Sequence, residues 1–407
     1  MGELFAAPRM RLYFLGNTLS SIGDYALWLA AGVWVKELTG STSKAGLCML
    51  CLILGTLLSP LAGVLVDRAA RKPLILASNA LTGLLVMALT LVHRADQVWL
   101  IYGVMFLYGV MTSVTSAAMA ALLPKLVPEE LLGSANGLSQ ALTQGQRLIT
   151  PAIGLGLLAI YGGGAVALLD AATFAAAIVC WSLIKVEDGK PQPSERNWRG
   201  ETMAGFVFLF RTPVLRQLTI ALTVSLFVMG FFETLGIAIV TVGLHHAPTW
   251  AGVLVTAMGV TGIAGGVAAG PLLKRHGPGR LTAAGLGLCS ASSLVMAVPM
   301  DAVVVAGALL FGLGLPLVIV GSVTAIQLNT PDELMGRVSG ADSFLITAGQ
   351  ALGIACGSAL IAVLYYRDLD YLAAGVLALV TVYLVTRREQ RLPATAAGEP
   401  ADLVPAA

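Results

Sequence analysis

The chain has 407 residues, of which 57% are hydrophobic and only 11% are charged, and its mean hydropathy is +0.85. An average soluble domain carries about 25% charged residues, so this composition excludes a soluble enzyme, a nucleic-acid-binding protein and a disordered chain. The apolar residues form continuous runs of roughly 20 residues, the length that crosses a bilayer as a helix, and not the short alternating strands of a membrane β-barrel. The formal net charge of +2 indicates no acidic or basic partner.

Twelve apolar runs follow one another along the chain and predict an all-α integral membrane protein with twelve transmembrane helices. The predicted spans are residues 12–35, 45–66, 73–92, 97–122, 136–160, 164–185, 216–243, 249–273, 280–300, 302–327, 339–365 and 370–386. A charged segment separates the sixth span from the seventh. We therefore expect an N-terminal six-helix bundle over residues 1–185 and a C-terminal six-helix bundle over residues 216–387.

The segments outside the spans are short. Residues 186–215 form the predicted cytoplasmic linker, whose second part carries apolar residues at helical spacing and predicts an amphipathic helix on the membrane surface. Residues 388–407 contain Pro393, Pro400 and Pro405, and we expect a disordered cytoplasmic tail.

The positions of the basic residues predict the orientation. Most of the 24 Lys and Arg residues fall in the segments that lie on the same side as the N-terminus. Because cytoplasmic loops are rich in Lys and Arg, both termini are predicted to be cytoplasmic, in agreement with an even number of spans. We expect a multi-pass protein of the bacterial cytoplasmic (inner) membrane.

Signatures of a metal site or an enzyme are absent from the sequence. Cys48 and Cys51 form a Cys-x-x-Cys pattern, but no second thiol pair or nearby His completes a metal site, and free Cys packs as a small hydrophobic residue. No H-E-x-x-H, G-x-S-x-G or Walker motif occurs. We predict a protein that is not an enzyme and holds no metal or cofactor.

The two halves of the chain repeat each other. Residues 128–133 read Pro-Glu-Glu-Leu-Leu-Gly, and residues 331–336, at the corresponding point of the second half, read Pro-Asp-Glu-Leu-Met-Gly. The second span carries Gly55, Ser59 and Gly63, and the eighth span carries Gly262, Gly266 and Gly270. Small residues recur in any membrane helix, but the longer match favours a duplicated unit. Transporters built from repeats bind substrate at the interface of the repeats, near the middle of the membrane.

Residues 63–72, Gly-Val-Leu-Val-Asp-Arg-Ala-Ala-Arg-Lys, resemble the signature between helices 2 and 3 of the major facilitator superfamily. The likeness covers essentially the whole chain and is strongest to the macrolide-efflux branch of its drug exporters. Supporting motifs are Leu15-Gly16 with Gly23-Asp24, Leu123-Pro124, Asp170 to Phe174, Gln327 to Pro331 and Gly336 to Val338. The resemblance implies a major facilitator fold of two pseudo-symmetric six-helix bundles and proton-coupled antiport, with efflux and multidrug resistance as the associated activities.

The signature motif also has a physical interpretation. Asp67 ends the second helix, where a carboxylate can accept N–H groups from the start of a neighbouring helix. A basic loop that only sets the topology would leave the acid unexplained. The resemblance implies a conformational latch that holds the cytoplasmic side closed, formed by Gly63, Asp67, Arg68, Arg71 and Lys72.

Three ionisable residues fall deep in predicted spans: Asp24, Arg147 and Glu233. Each such charge costs about 2.5–3.5 kcal/mol on insertion scales, so we expect them to have a role in proton coupling. Asp24 and Arg147 are predicted at equal depth, which would allow an ion pair; a purely structural pair is the alternative. Glu233 has no matching cation, because Gln350 occupies the position of Arg147 in the second half. It is therefore a candidate proton carrier, unless its side chain reaches the outer surface.

Helices 1, 4, 7 and 10 line the substrate cavity in the family that the chain resembles. Aromatic and Met side chains suit bulky amphipathic ligands. The candidate substrate-binding residues are Tyr25, Trp28, Met105, Tyr108, Phe231 and Gln350. The expected partners are the lipid bilayer, an amphipathic small molecule and protons, without nucleic acid, and we expect a monomer.

The leading functional prediction is a secondary transporter that exports a bulky amphipathic drug or natural product in exchange for protons by alternating access. The energy source would be the proton gradient. A siderophore or lipid-like metabolite exporter is the alternative, followed by a proton-coupled uptake symporter. A membrane sensor or assembly factor that does not transport is the alternative from another class.

Overall fold

The computed structural model describes residues 4, 7–185, 198–246, 250–360 and 363–391, and these residues form fourteen α-helices and no β-strand. In chain order the helices are α1 Pro8–Thr39, α2 Thr42–Thr56, α3 Ser59–Arg68, α4 Arg71–Ala88, α5 Val98–Leu126, α6 Glu129–Tyr161, α7 Gly163–Ser182, α8 Trp198–Arg211, α9 Pro213–Ala238, α10 Ala251–His276, α11 Pro278–Met296, α12 Asp301–Asn329, α13 Met335–Leu360 and α14 Tyr366–Thr386. A π-helical turn, Ile239–Gly243, extends α9.

The lengths of these helices fit a membrane protein. Among the described residues, seven helices are long and apolar enough to cross a bilayer by themselves: α4, α5, α7, α9, α10, α12 and α14. The more polar helices α1, α6 and α13 and the shorter α11 have 32, 33, 26 and 19 residues. At 1.5 Å per residue, 19 residues cover about 28 Å, close to the thickness of the hydrocarbon core. Together with the bent pair α2 and α3, these helices account for the twelve predicted spans.

The second predicted span is not one continuous helix. It divides at Leu57 and Leu58 into α2 and α3, which are bent by 41° relative to each other. Pro60 lies in the first turn of α3, and a proline removes one helical hydrogen bond and clashes with the preceding turn. As a result α2 packs mainly against α5, whereas α3 packs along α13 in the other half of the chain.

The two halves pack their helices in the same pattern. In the first half α1 contacts α6 and α7, and α4 contacts α5 and α7. In the second half α9 contacts α13 and α14, and α11 contacts α12 and α14. These are equivalent pairs in a duplicated six-helix unit, which supports the internal repeat found in the sequence.

The most extensive contacts between the halves are those of α3 with α13 and of α6 with α10. A Cβ atom added at Gly63 would lie 2.2 Å from the carbonyl oxygen of Gly336 in α13. A Cβ atom at Gly266 would lie 2.7 Å from the backbone nitrogen of Ala141 in α6. The stripes of small residues in the second and eighth spans therefore allow the two backbones to approach closely.

The halves touch at one end of the molecule and separate at the other. We call the end at which α1 begins and α14 ends the terminal face, and the opposite end the distal face. On α10, Gly259 packs against Leu148 of α6, whereas Gly252, about two turns nearer the distal face on the same side of the helix, has open space within 4 Å of its added Cβ. Over the described residues, the interior between the halves is therefore closed at the terminal face and opens toward the distal face.

The segments that flank the second half are only partly described. Residues 186–197 of the predicted linker lie outside the described residues, whereas α8 follows the predicted amphipathic pattern, with Met203 and Val207 exposed and Leu209 buried. The prediction of disorder from residue 388 onward is wrong for Arg388–Arg391, which form a 3-10 turn. The Gln390 amide fixes this turn by donating to the carbonyl oxygen of Val214 and to Gln217. Residues 392–407 lie outside the described residues.

Candidate transport pathway and conformational latch

The Asp67 carboxylate, at the end of α3, bonds to the first turn of α13. It accepts hydrogen bonds from the backbone nitrogens of Gly336, at 2.8 Å, and Arg337, at 3.0 Å, and the Arg337 Nε atom lies 3.3 Å away. The first N–H groups of a helix have no partner inside it and carry the positive end of its dipole, so a buried carboxylate is favoured there. The contact predicted for Asp67 with the start of a neighbouring helix is thus present, and it joins the two halves.

Arg68 faces the linker helix. Its guanidinium binds both carboxylate oxygens of Glu201 in α8, with Nη2 at 2.7 Å and Nε at 3.0 Å. The same carboxylate lies 3.7 Å from Nη2 of Arg337. A bidentate guanidinium–carboxylate pair is both strong and geometrically specific. Glu201 therefore connects α8 to both halves of the chain beside the Asp67 contact.

Arg71 and Lys72 have different partners. Arg71 donates to the carbonyl oxygens of Ala121, at 3.0 Å, and Asp332, at 2.8 Å, and so crosses between the halves. The Lys125 ammonium lies 3.4 Å from the Asp332 carboxylate. Lys72 donates to the carbonyl oxygens of Ser182 and Ile184 at the end of α7, in the first half. The Arg71 contacts join the halves and are therefore positioned to hold the terminal face closed.

Two acids in the first half share one hydroxyl group. Tyr108 of α5 donates to Asp24 of α1, and its oxygen lies 3.3 Å from Oδ2 of Asp170 in α7. Asp170 is completely buried and also lies beside Thr173, whose hydroxyl donates to the Asp170 backbone carbonyl. In the described part of the chain neither acid has an ion pair. Ionising two adjacent carboxyl groups, one half-buried and one fully buried, without a cation is costly, so this cluster favours holding at least one proton.

The predicted ion pair between Asp24 and Arg147 is absent from this structure, and the packing of α1 on α6 explains why. Gln146 donates to the carbonyl oxygen of Thr18, and Gly154 packs against Ala26. In this register Asp24 lies about one and a half turns nearer the distal face than Arg147. Asp24 turns toward Tyr108, while the Arg147 side chain is exposed.

The candidate substrate-binding residues differ in exposure. Trp28 is 46% exposed and Tyr25 and Gln350 are half-buried, so these three have accessible surface. Met105 is only 1% exposed and packs in the apolar core of the first half, which corrects the expectation that it contacts substrate. Tyr108 is 5% exposed and is occupied by the two acids.

Two predicted residues cannot be placed at the level of side chains. Phe231 and Glu233 belong to α9, but their side chains lie outside the described residues. Their predicted roles, as a substrate contact and as a proton carrier, remain predictions.

Several residues of the site were not recognised in the sequence. The motif that contains Asp170 did not indicate its role, and a carboxyl group within the apolar helix α7, about one turn before Thr173, was the available signal. Asn136 of α6 donates to Thr324 and Gln327 of α12 and joins the halves through buried side chains. Only the fold shows that these residues, like Glu201 and Asp332, face a partner from another part of the chain.

Comparison with known proteins agrees with this geometry. A family model described as Major Facilitator Superfamily matches residues 13–354 and, in a second match, residues 237–406. The chain belongs to the Major Facilitator Superfamily. As a member of this superfamily it is a multi-pass membrane transporter and not an enzyme.

Individual relatives are distant. The chain is 28% identical over 369 residues to the enterobactin exporter EntS of Escherichia coli O1:K1, a match that covers 87% of this chain and 84% of the exporter. It superposes on a bacterial homologue of the iron transporter ferroportin, solved in the outward-facing state, with a TM-score of 0.76 and 19% identity over 94% of this chain and 100% of that one. The human organic anion transporter MFSD10 gives a TM-score of 0.75 and 15% identity, with 92% and 98% covered. At these identities the two structures show a shared fold and nothing of the substrate.

Proposed function

We propose that this chain exports a bulky amphipathic small molecule in exchange for protons by alternating access. The observation that carries the proposal is the cluster of Asp24, Tyr108 and Asp170. Half-buried Asp24 can exchange a proton with an open cavity, whereas Asp170 is fully buried. A carboxyl group that must be neutral while it is buried, and that becomes charged when water reaches it, can couple proton uptake to a conformational change.

The proposed orientation places the terminal face in the cytoplasm, as the Lys and Arg distribution indicates. Export would then use the present conformation to release substrate and to bind a proton from outside, in a bacterial cytoplasmic membrane. The Asp67, Arg71 and Glu201 contacts would act as the latch of this conformation, because they join the halves only where the terminal face is closed. Opening toward the cytoplasm would break them.

A siderophore exporter is the second candidate. It is supported by the similarity to the enterobactin exporter, which extends over 87% of this chain and so is not limited to one motif. A siderophore is one kind of bulky amphipathic substrate, so the same mechanism would serve both candidates.

The experiment is transport by purified protein in proteoliposomes, with candidate drugs and enterobactin as substrates. An exporter of this kind accumulates substrate when an imposed pH gradient drives protons in the opposite direction, and an uncoupler abolishes the accumulation. Accumulation in the direction of the proton flow would indicate a symporter instead. No transport of any compound would favour a sensor or an assembly factor.

The carrier of the proton can be identified in the same assay. Asp24→Asn and Glu233→Gln each fix one candidate in a neutral form. The carrier variant should retain counterflow, which exchanges substrate without net proton movement, and should lose accumulation driven by the pH gradient. Full pH-driven accumulation by Asp24→Asn would contradict the role proposed for the acid cluster.

A further inference from the structure

Arg147 is a basic residue near the middle of α6 whose side chain is exposed. Within the described part of the chain it makes no hydrogen bond or ion pair. A charge within a membrane span costs about 2.5–3.5 kcal/mol, so an exposed cation at this depth requires an explanation. The direction of the Arg147 side chain decides whether its charge faces lipid or water.

The side chain of Arg147 points away from lipid. The exposed apolar stripe of α6 consists of Ile149, Ile153 and Ile160, which are 65%, 45% and 72% exposed. Residues two apart on an α-helix are separated by about 200°, so Arg147 lies on the opposite side of the helix from Ile149. The exposed surface of Arg147 is therefore in water and not in the hydrocarbon of the bilayer.

At the level of Asn136, the same side of α6 faces the other half of the protein. Asn136 is 11 positions, or about three full turns, from Arg147, and it contacts Thr324 and Gln327 of α12. Beside Arg147, Leu148 packs on Gly259 of α10 and Gln146 donates to Thr18 of α1. Arg147 therefore projects between α1 and α10, and so between the halves, about 16 Å further from the terminal face than Asn136. The contact between α6 and α10 ends at this depth. Leu148 packs on Gly259, whereas an added Cβ at Gly252, nearer the distal face, meets no atom of the described residues within 4 Å. Arg147 thus stands at the floor of the open cavity.

The surroundings of Arg147 leave its charge available. Asp24 is held by Tyr108 at a different depth. The equivalent residue in the second half is the neutral, half-buried Gln350, so duplication supplies one cation and not a symmetric pair. Trp28, on α1 and nearer the distal face, offers an exposed aromatic surface in the same half. An amphipathic molecule with an apolar ring system and an acidic group matches this combination.

We propose that Arg147 recognises an anionic group of the substrate, so that the exported molecule is an amphipathic acid. This inference deepens the proposed function. That the ligand is transported rests on the proposed function, whereas the binding of the ligand to Arg147 does not depend on it. The guanidinium group is planar, remains charged and can bind both oxygens of a carboxylate, sulfonate or similar group. When the distal face closes over Arg147, the bound anion would neutralise its charge, so the loaded carrier would change conformation more readily than the empty one.

The test uses two ligands with the same ring system, of which only one is charged: pyrenebutyrate and its methyl ester. Binding of each to the purified full-length protein in non-ionic detergent is measured through pyrene fluorescence. The wild type should bind the acid at least about ten-fold more tightly than the ester, which corresponds to about 1.4 kcal/mol. Arg147→Gln should lose this preference while it retains its affinity for the ester, and Arg147→Lys should retain part of the preference.

Controls separate a specific site from general attraction. Arg94→Gln removes an exposed cation near the distal face and should leave the preference for the acid unchanged. Ester binding and the melting temperature report whether Arg147→Gln is folded. The inference is overturned if the wild type fails to bind the acid or binds both ligands equally. It is also overturned if Arg147→Gln prefers the acid as strongly as the wild type does. Failure of pH-driven export with the acid preference intact would overturn the proposed function and leave this inference standing.

Discussion

Asp67 in α3 accepts a 2.8 Å hydrogen bond from the backbone nitrogen of Gly336 in α13, and the two residues belong to opposite halves of the chain. The bond connects a carboxylate with the positive end of a helix, so its strength depends on the negative charge of Asp67. It also requires the close approach that Gly63 and Gly336 permit at the same level. The charge and the glycines therefore act on the same conformation, the one that is closed at the terminal face.

Asp67→Asn should leave the protein folded but impair transport. The amide is neutral and presents an NH2 group that cannot accept one of the two backbone hydrogen bonds. Hydrogen bonds to charged groups contribute about 1.5–3 kcal/mol, so the ratio of molecules closed to molecules open at the terminal face should fall about ten-fold or more. The measurement is maleimide labelling of Gly252→Cys, which lies in the open gap, in a background without the five native cysteines. Labelling and transport should both fall.

The repeat provides a matched control for Asp67. Lys274 occupies the equivalent position in the second half, next to Arg275, and it is exposed. Lys274→Asn should therefore change neither the labelling nor the transport. Normal transport by a well-expressed Asp67→Asn protein, indistinguishable from Lys274→Asn, would show that Asp67 has no latch role.

Gly63→Ala should shift the same equilibrium by steric means. The added Cβ atom would lie 2.2 Å from the carbonyl oxygen of Gly336, so α3 and α13 must separate. Overpacking of this kind typically costs about 1–3 kcal/mol, and here the cost falls on the closed terminal face. Reduced labelling at Gly252→Cys is the expected result. Gly103→Ala, where an added Cβ meets no atom within 4 Å, is the control, and equal labelling of the two variants would contradict the prediction.

Glu201→Gln tests whether the linker helix contributes to the latch. The substitution retains a hydrogen-bond acceptor but removes the charge shared by Arg68 and Arg337. Because the pair is partly buried, we expect a loss of about 1–3 kcal/mol in the closed terminal face and a more rapid proteolytic cleavage of the linker. Limited proteolysis of the protein in detergent provides the measurement, with Glu37→Gln, an exposed residue near the distal face, as the control. Unchanged cleavage and transport would show that α8 lies over the latch contacts without stabilising the closed terminal face.

The features that the sequence predicted correctly are those that depend on local patterns. The lengths of the apolar runs indicate the spans, and the motif that contains Asp67 and Arg68 places an acid and a base at a helix end. The partner of Asp67 could be anticipated because any helix start offers free N–H groups. Its identity, the turn at Gly336, depends on which helix the fold brings there.

The prediction that failed depended on the register between two helices. Asp24 and Arg147 lie at similar depths if the residues are counted from the start of the predicted span that contains each of them. The packing of Gly154 on Ala26 and the Gln146 hydrogen bond displace α6 relative to α1, and no periodicity in either segment encodes that displacement. Met105 shows the same limit, because an apolar residue in a membrane helix can face the core, the cavity or lipid, and only tertiary packing decides among them.

Tyr108→Phe should separate binding from energy coupling. The hydroxyl is the shared hydrogen-bond partner of Asp24 and Asp170, and its removal leaves the ionised form of either acid with one donor fewer. An unsatisfied buried group costs about 1–3 kcal/mol, so the protein should remain folded. Counterflow should persist, while accumulation driven by a pH gradient should fall. Tyr102→Phe on the same helix also removes a hydroxyl, one that donates to the Lys44 carbonyl oxygen outside the acid cluster, and it should transport normally.

Combining Tyr108→Phe with Asp24→Asn tests whether the two residues act as one unit. The neutral amide at position 24 has no ionised form for the Tyr108 hydroxyl to stabilise. Adding Tyr108→Phe to Asp24→Asn should therefore reduce pH-driven accumulation little below the level of Asp24→Asn alone. The coupling is measured by a double-mutant cycle in proteoliposomes, with the initial rate of accumulation in each of the four proteins. Independent, multiplicative losses would show that Tyr108 and Asp24 contribute separately, and the proton would then have to be carried through Asp170 or Glu233.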